Sequence, residues 1–548
     1  MKIIGLTCHY TGNHDNSAAL LVDGKVVFAE SEERISRIKH DTQFPVRSIT
    51  HALRFAKLKL PQIDYFASAS PPTNLFKLLA SYYRGLKYTT FAEFSQWLIG
   101  RFFLTLISGG RRQETKLPST YWEWRKTHEK LHFVSHYLAH AGTAYCYSGW
   151  DRCLVVAWDG YGIDDKGKPL CGSIYLGQNG NLKFLEEIPV YSSIALYYGE
   201  VTIALGIKLN DGEGKTMGLA AYGKDSSAVT QIRKIFPIFR NNKWIPNYTW
   251  LEVNGVSRPE YFKKTSVFKK FTYLIKKYGR QQLAYAAQKV LEEEGEKFIR
   301  YLVKKYKERK VALAGGIFLN VKFNMRLLKN KVVEDLFIYP NPSDGGVCVG
   351  AAIALYKRLG GEFKTEKVES AYLGCGWKDS EVRDAIIKFR EKIDVKMLGN
   401  KLAKTVAKDI SEGSVVGWFQ GRGEWGPRAL GRRSVLADPR KITTKERINK
   451  YLKQRDWFMP FAPVILEEYK DKILKHGWAT PFMTLTDDVN KEYLEKIPAA
   501  IHIDGTARAQ IINKSTNPLY WQVINEFRKI TSVPVLLNTS FNRHGLPI

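Results

Sequence analysis

CLVVAWDGYG, residues 153–162, is an apolar run ending in a polar Asp-Gly loop, and the segment after it decides the fold. GSIYLGQNGNLKFLEEI (172–188) is two further runs joined by Asn-Gly, which is a strong short-range hairpin signal. The same order occurs once before. KIIGLTCHY (2–10) is a β-rich run, a polar loop with His14 and Asp15 comes next, and SAALLVDGKVVFAE (17–30) is two runs joined by Asp-Gly. The strand, loop and hairpin are therefore expected twice.

Further along, VALAGGIFLN (311–320) reads as a buried strand running into Gly315-Gly316. FIYPNPSDGGVCVGAAIALYK (337–357) reads as a strand, a loop and a helix starting near Asp344-Gly345-Gly346. Glycines at such strand ends let backbone amides approach a nucleotide. This ordered series resembles the actin-like ATPase superfamily, and the resemblance implies an α/β fold with a duplicated nucleotide-gripping unit. The character changes after about residue 370, where LGGEFKTEKVESAYLGCGWKDSEVRDA (359–385) forms a polar bridge. Two domains are expected, 1–370 and 371–548. The second contains VVGWFQGRGEWGPRALGRRSVLADPR (415–440), where Arg422, Arg428, Arg432, Arg433 and Arg440 are interleaved with Gly and Pro. Arg grips phosphate bidentately, and Gly lets the chain wrap close to it.

Composition excludes several classes. At 548 residues the chain exceeds what one hydrophobic core usually serves. A net charge of +30 invites a nucleic-acid reading. Runs such as KKFTYLIKKYGR (269–280) and VKKYKERK (303–310), however, alternate with apolar residues at helical spacing, as solvated helix faces do. Nucleic acid is not the expected partner. The six cysteines contain no CxxC pair, so they read as reduced packing residues. The Met1 end lacks a secretory apolar region, which leads to a cytoplasmic expectation. FAEFSQWLIGRFFLTLISGG (91–110) contains Glu93, Gln96 and Arg101. A charge at a bilayer centre costs about 2.5–3.5 kcal/mol, so this window reads as a helical insertion, not a membrane span.

VSHYLAHAGTAY (134–145) places His136 and His140 four apart in a segment of small and apolar residues. Ser135 suits a helix N-cap, and a helix through 136–145 puts both imidazoles on one face, within reach of a common ion.

A closer resemblance then emerges. HDNSAALLVDG (14–24), SEERISRIKHD (31–41), SHYLAHA (135–141), LNDGEGKTMGLAAYG (209–223), LAGGIFLN (313–320), YPNPSDGGVCVGAA (339–352), QGRGEWGPRALGRRSVLADPR (420–440), IHIDGTARAQ (501–510) and PVLLNTSFN (534–542) are similar, in order, to the O-carbamoyltransferases of nodulation and antibiotic biosynthesis.

That resemblance implies an actin-like domain akin to the tRNA threonylcarbamoyl-transfer protein, followed by a YrdC-like α/β domain. The second would make carbamoyl adenylate from carbamoyl phosphate and ATP, with Mg accompanying the ATP. The first would transfer the carbamoyl group to a hydroxyl of a small-molecule or glycan acceptor. Motif matching puts Arg422, Glu424, Arg428, Lys453, Arg455, Arg508, Asn538, Ser540 and Asn542 around carbamoyl phosphate and ATP. Glu213, Lys215 and Gly218 match nucleotide or acceptor contacts, and Gly315, Gly316 and Asn320 match the adenosine pocket. His14 is the expected base that takes the acceptor's proton, with Asp15 beside it and Lys39 and His40 on a second loop. Asp159 and Asp344 occupy the family positions that would complete a His136, His140, Asp159, Asp344 metal set. Such a set suits Fe(II), Zn or Mn, and the family favours iron. The rival functions are a tRNA-modifying carbamoyl-type transferase and an actin-like sugar kinase. The oligomeric state stays open, a homodimer among the options. The chain departs from the family at Met459, where an Arg usually precedes PFAP, and at NTSFNRHGLP. It also stops at Ile548 where the family continues, so a C-terminal truncation is expected, with Arg543 available to replace the lost cation.

Overall fold

A computed structural model describes residues 1–8, 15–69, 130–164, 166, 168–247, 265–543 and 545–548. His14 and the 91–110 window lie outside the described residues.

The repeated sequence pattern becomes two sheets of the same design. The first contains β1 (Lys2–Thr7), β2 (Ser17–Val22), β3 (Lys25–Ser31), β4 (Tyr65–Ser68) and β5 (Leu131–Phe133), in the order β3-β2-β1-β4-β5. β1 pairs antiparallel with β2 and parallel with β4, and β4 pairs parallel with β5. The second contains β6 (Arg152–Ile163), β7 (Pro169–Gln178), β8 (Asn181–Pro189), β9 (Lys310–Ala314) and β10 (Asp335–Ile338), ordered β8-β7-β6-β9-β10. Its polarities repeat those of the first sheet. The duplication read from the sequence is thus a duplication of topology, and the fold is mixed α/β.

The hairpin turns explain why the signal was legible. Asp23 and Gly24 both have positive φ, 47° and 80°, as do Asn179 and Gly180 at 50° and 70°. That is the type I′ geometry which Asp-Gly and Asn-Gly favour, and its twist matches that of paired strands.

The helices that matter here are α1 (Val46–Ala56), α2 (His136–Cys146), α3 (Glu213–Ala220), α4 (Arg280–Tyr306), α5 (Val321–Lys329) and α6 (Val347–Arg358). Two of them, α2 and α6, lie between the first two sheets, and others cover the outer faces. α2 and α6 pack on one another in a core of small residues that includes Ala139, Ala141, Ala351 and Ala352. At Gly350 a Cβ would lie 1.7 Å from the Ala139 carbonyl oxygen, so only glycine permits this close crossing. The crossing brings the start of α2 against the loop that precedes α6. The helix predicted at 136–145 is therefore present, but the Ser135 side chain makes no capping hydrogen bond.

The C-terminal part forms a third mixed sheet of β11 (Val416–Phe419), β12 (Arg433–Ala437), β13 (Ala462–Leu466), β14 (Gln510–Ile512) and β15 (Val535–Ser540), ordered β11-β12-β15-β13-β14. It has its own core around Val464, Leu466, Tyr520 and Phe527. Packing also crosses from this part to the N-terminal one. Trp425 is buried in the N-terminal core and donates to the Tyr339 hydroxyl at 3.1 Å. Among the described residues, no helix is long and apolar enough to cross a membrane.

Candidate functional site

Asp159 stands where β6 leaves its ladder. The pairing of β6 with β7 shifts between Trp158 and Gly162, and such an irregularity re-aims a side chain out of the pleat. Asp344 opens the short turn before α6. Both carboxylates converge on the first turns of α2. His140 Nε2 lies 3.2 Å from Asp159 Oδ2 and 3.5 Å from Asp344 Oδ1. His136 Nε2 lies 3.8 and 3.6 Å from the same oxygens and 3.2 Å from His140 Nε2. All four ligand atoms fall within 4.8 Å of one another.

The electrostatics of this cluster are those of a place short of positive charge. Burial and then the Asp159 charge raise Asp344. Burial alone would raise Asp159, but the two imidazoles hold it well below the usual carboxylate range. Against its burial, Asp159 and Asp344 push His140 up to about 9. Asp159 Oδ2 and Asp344 Oδ1 are buried and make no hydrogen bond that meets ordinary geometry. Two carboxylate oxygens and two imidazole nitrogens aimed at one point fit a divalent transition metal, and the mixed set admits Fe(II), Zn or Mn. Gly315 and Gly316 end β9 beside it. A Cβ on Gly316 would come 2.7 Å from Asp159 Oδ1, so a side chain there would crowd the cluster.

A second group forms in the C-terminal sheet and is built of cations. Burial lowers Arg428 and Arg455 to about 10. Arg508 is pushed well below its ordinary value by burial and then by the charges of Arg428 and Arg455. Its Nε is buried without a hydrogen-bond partner. Lys453 joins them. Burial, then Arg455, lowers it to about 7, and against this the oxygens of Ser540 and Asn542 hold its proton at 2.5–3.0 Å. Asn538 donates to the Ala429 carbonyl and to Gln510, leaving its own Oδ1 buried and unbonded. Cations gathered at mutual cost are arranged for a polyanion.

Arg422 and Glu424, expected in this group, are committed elsewhere. Arg422 donates to the carbonyls of Val27, Leu373 and Gly374 and lies 4.2 Å over the Phe55 ring. Glu424 Oε1 accepts from the backbone amides of Leu430, Arg432 and Arg433 at 2.9 Å each, and so folds the loop. Asn449, which the sequence reading missed, holds Arg455 Nε at 2.7 Å. An Asn between apolar and basic residues carries no local signal for that task.

The remaining expected residues lie on the N-terminal side. Asn320 caps α5 through the Phe323 amide and pairs twice with Gln288, so its side chain is engaged by the fold. Glu213 accepts from the Asn210 amide at the start of α3. Lys215 pairs with Asp456 at 3.1 Å, and Gly218 faces Phe458 and Pro460, which places α3 on the seam between the two units. Met459 sits in the same loop, half-buried against the N-terminal core. Lys39 turns to Glu33 at 3.3 Å. His40 meets Asp15 at 2.7 Å and lies 3.9 Å from Asp211. Burial opposes the charge on His40, but these two acids raise it to about 9. Asp211 lies inside the LNDGEGK motif, where its position was legible and its role was not.

A family model described as Carbamoyltransferase N-terminus matches residues 2–353, and one described as Carbamoyltransferase C-terminus matches 407–548. The nodulation protein NolNO of Sinorhizobium fredii is 32% identical over 98% of this chain and 75% of its own length. NolO of Bradyrhizobium diazoefficiens is 33% identical over 76% of this chain and 74% of its own. Among solved structures, full-length HypF in its phosphate- and nucleotide-bound form aligns with 66% of this chain and 56% of its own, at 13% identity and a TM-score of 0.35.

Proposed function

From the premise that this chain belongs to the carbamoyltransferase family, we propose that it makes carbamoyl adenylate from carbamoyl phosphate and ATP in its C-terminal unit and transfers the carbamoyl group to a hydroxyl of a small-molecule or glycan acceptor in its N-terminal unit. The observation that carries this reading is the gathering of Arg428, Lys453, Arg455 and Arg508, whose mutual repulsion two phosphorylated substrates would relieve.

A carbamoyl group is a poor electrophile, and linkage to AMP gives it a good leaving group. Making that link requires two polyanions to be held together against their repulsion. Arg508 Nε, which makes no hydrogen bond within the protein, would donate to a phosphate oxygen, while Asn449 holds Arg455 Nε at 2.7 Å. Asn538 Oδ1 offers an acceptor that suits the carbamoyl amide. Mg accompanies the ATP.

In the N-terminal unit, His136, His140, Asp159 and Asp344 would hold one divalent metal, iron by family preference. When bound, that metal supplies Lewis-acid charge for a carbonyl or phosphate oxygen. The acceptor hydroxyl must lose its proton as it attacks. His14 takes that role in this proposal, with the neighbouring Asp15 held by His40. Membership in a carbamoyltransferase family supports carbamoyl transfer over the phosphoryl transfer of a sugar kinase.

The test is mass spectrometry of products after incubating the metal-loaded protein with ATP, carbamoyl phosphate and a panel of hydroxyl compounds. Carbamoyl adenylate without acceptor, and an acceptor that gains one carbamoyl group, are expected. A folded, metal-loaded protein that forms no adenylate would overturn the proposal.

A further inference from the structure

The cations of the C-terminal group suit phosphate oxygens and read nothing else. Carbamoyl phosphate and acetyl phosphate carry the same phosphate and the same carbonyl, and they differ only in an amino group against a methyl group. Arg428, Lys453, Arg455 and Arg508 therefore have no means of telling the two apart. Discrimination falls to a neutral side chain beside them, and Asn538 is such a side chain. Asn538 and Ser540 stand two apart on β15, so their side chains share one face of the strand. Lys453 is held at that place by the Ser540 hydroxyl at 3.0 Å.

The orientation of the Asn538 amide is decided by groups that only accept. Gln510, fully buried, donates from Nε2 to the Leu430 carbonyl at 3.0 Å. A carbonyl has no proton to give, so Gln510 must turn its nitrogen towards Leu430 and its Oε1 towards Asn538. Asn538 Nδ2 then donates to Gln510 Oε1 at 2.9 Å and to the Ala429 carbonyl at 3.0 Å, which uses both of its protons. A flipped Asn538 would set its oxygen against two other oxygens. Its Oδ1 is thereby fixed on the remaining side, in a residue 2% exposed, and it makes no hydrogen bond among the described residues. Leu430 is itself held firmly. Its N–H donates to Glu424 Oε1 at 2.9 Å, and its carbonyl also accepts from the Tyr372 hydroxyl at 2.9 Å. The constraint runs from the arginine-rich loop, through Gln510, to one acceptor.

We propose that Gln510 is a positioning residue that holds Asn538 Oδ1 as the acceptor for an N–H of the donor substrate. The site then takes an acyl phosphate that bears an amino group and rejects one that bears a methyl group. This rests on the carbamoyl phosphate reading above and adds to it the basis on which the donor is chosen. An amino group satisfies the oxygen. A methyl group in the same place covers a buried acceptor and gives it no proton, which is the situation in which a polar site discriminates most strongly.

The experiment titrates the full-length protein by calorimetry, with Mg-ATP present and absent, using two stable phosphonates of the same shape. Phosphonoacetamide ends in an amino group, and 2-oxopropylphosphonate ends in a methyl group. Phosphonoacetamide should bind at least about 10-fold more tightly, since leaving a buried acceptor unpaired costs more than a typical hydrogen bond gains. Gln510→Leu should narrow that ratio while ATP binding is unchanged, because the cations are intact. Gln510→Glu keeps an acceptor for Asn538 Nδ2 and should keep more of the ratio than Gln510→Leu. Circular dichroism checks the folding of each variant, and the ratio in the parent protein needs no variant. Equal binding of the two phosphonates to the parent would overturn the inference and leave the carbamoyl phosphate reading standing, whereas binding of neither would remove both. A folded Gln510→Leu protein that discriminates as the parent does, or one that loses ATP affinity with its phosphonate ratio unchanged, would also overturn the inference.

Discussion

The two sites of this protein are opposites in charge. The cluster of His136, His140, Asp159 and Asp344 sets two carboxylates beside two imidazoles, and two of its oxygens lack hydrogen bonds. The group of Arg428, Lys453, Arg455 and Arg508 repels itself, and one of its nitrogens lacks a hydrogen bond. Each buries polar atoms at a cost that the fold alone does not relieve. The ligand each one suits differs in sign: a cation for the first, a polyanion for the second. In the proposed function the second group would hold the phosphorylated substrates and the first the metal.

The largest effect should come from breaking the first side of that comparison. A His136→Ala/His140→Ala double variant should fall from about one metal ion per chain to none by elemental analysis and lose carbamoyl transfer, while carbamoyl adenylate still forms. A fully active double variant without metal would end the distinction between the sites.

Breaking the second side should give a smaller but sharper result. Arg508→Met removes a charge-assisted contact worth about 1.5–3 kcal/mol, so ATP affinity should fall roughly 10- to 150-fold. The same variant should melt at a higher temperature than the parent in the absence of phosphates, because an unpaired buried cation has become an apolar side chain. Calorimetry and nucleotide titration read the two changes separately, and a drop in both would mean that Arg508 is paired in the free protein.

The smallest effect concerns a third group, Asp15, Glu33 and His40, whose ligand atoms are also close enough for an ion. Here His40 and Asp15 make a 2.7 Å contact, an ion pair when the imidazole holds its proton. His40→Asn should leave the metal content unchanged. His40 is raised from its ordinary 6.5 to about 9, against its burial, by Asp15 and Asp211. Its stabilising contribution is therefore complete below about pH 6.5 and is lost as pH rises through about 9. Melting temperatures of parent and variant should differ most at pH 6 and converge above pH 9.

Much of this was set by local sequence. The two hairpins are legible because Asp23-Gly24 and Asn179-Gly180 supply the positive φ that their turns demand. His136 and His140 are legible because a four-residue spacing fixes a helix face. Tertiary structure decided what local chemistry cannot encode. Whether Asp159 and Asp344 face the same point depends on a shifted strand register and on the Gly350 crossing of two helices distant in sequence. Arg422 and Arg428 share one Gly-rich loop and look alike in the sequence. Between them Gly426, at φ 107°, packs so tightly on the Pro340 carbonyl that a Cβ would come within 2.6 Å of its oxygen. Arg422 ends on backbone carbonyls, and Arg428 ends among cations. Periodicity and turn chemistry act over a few residues, whereas the environment of a charge is set by whichever segments pack around it.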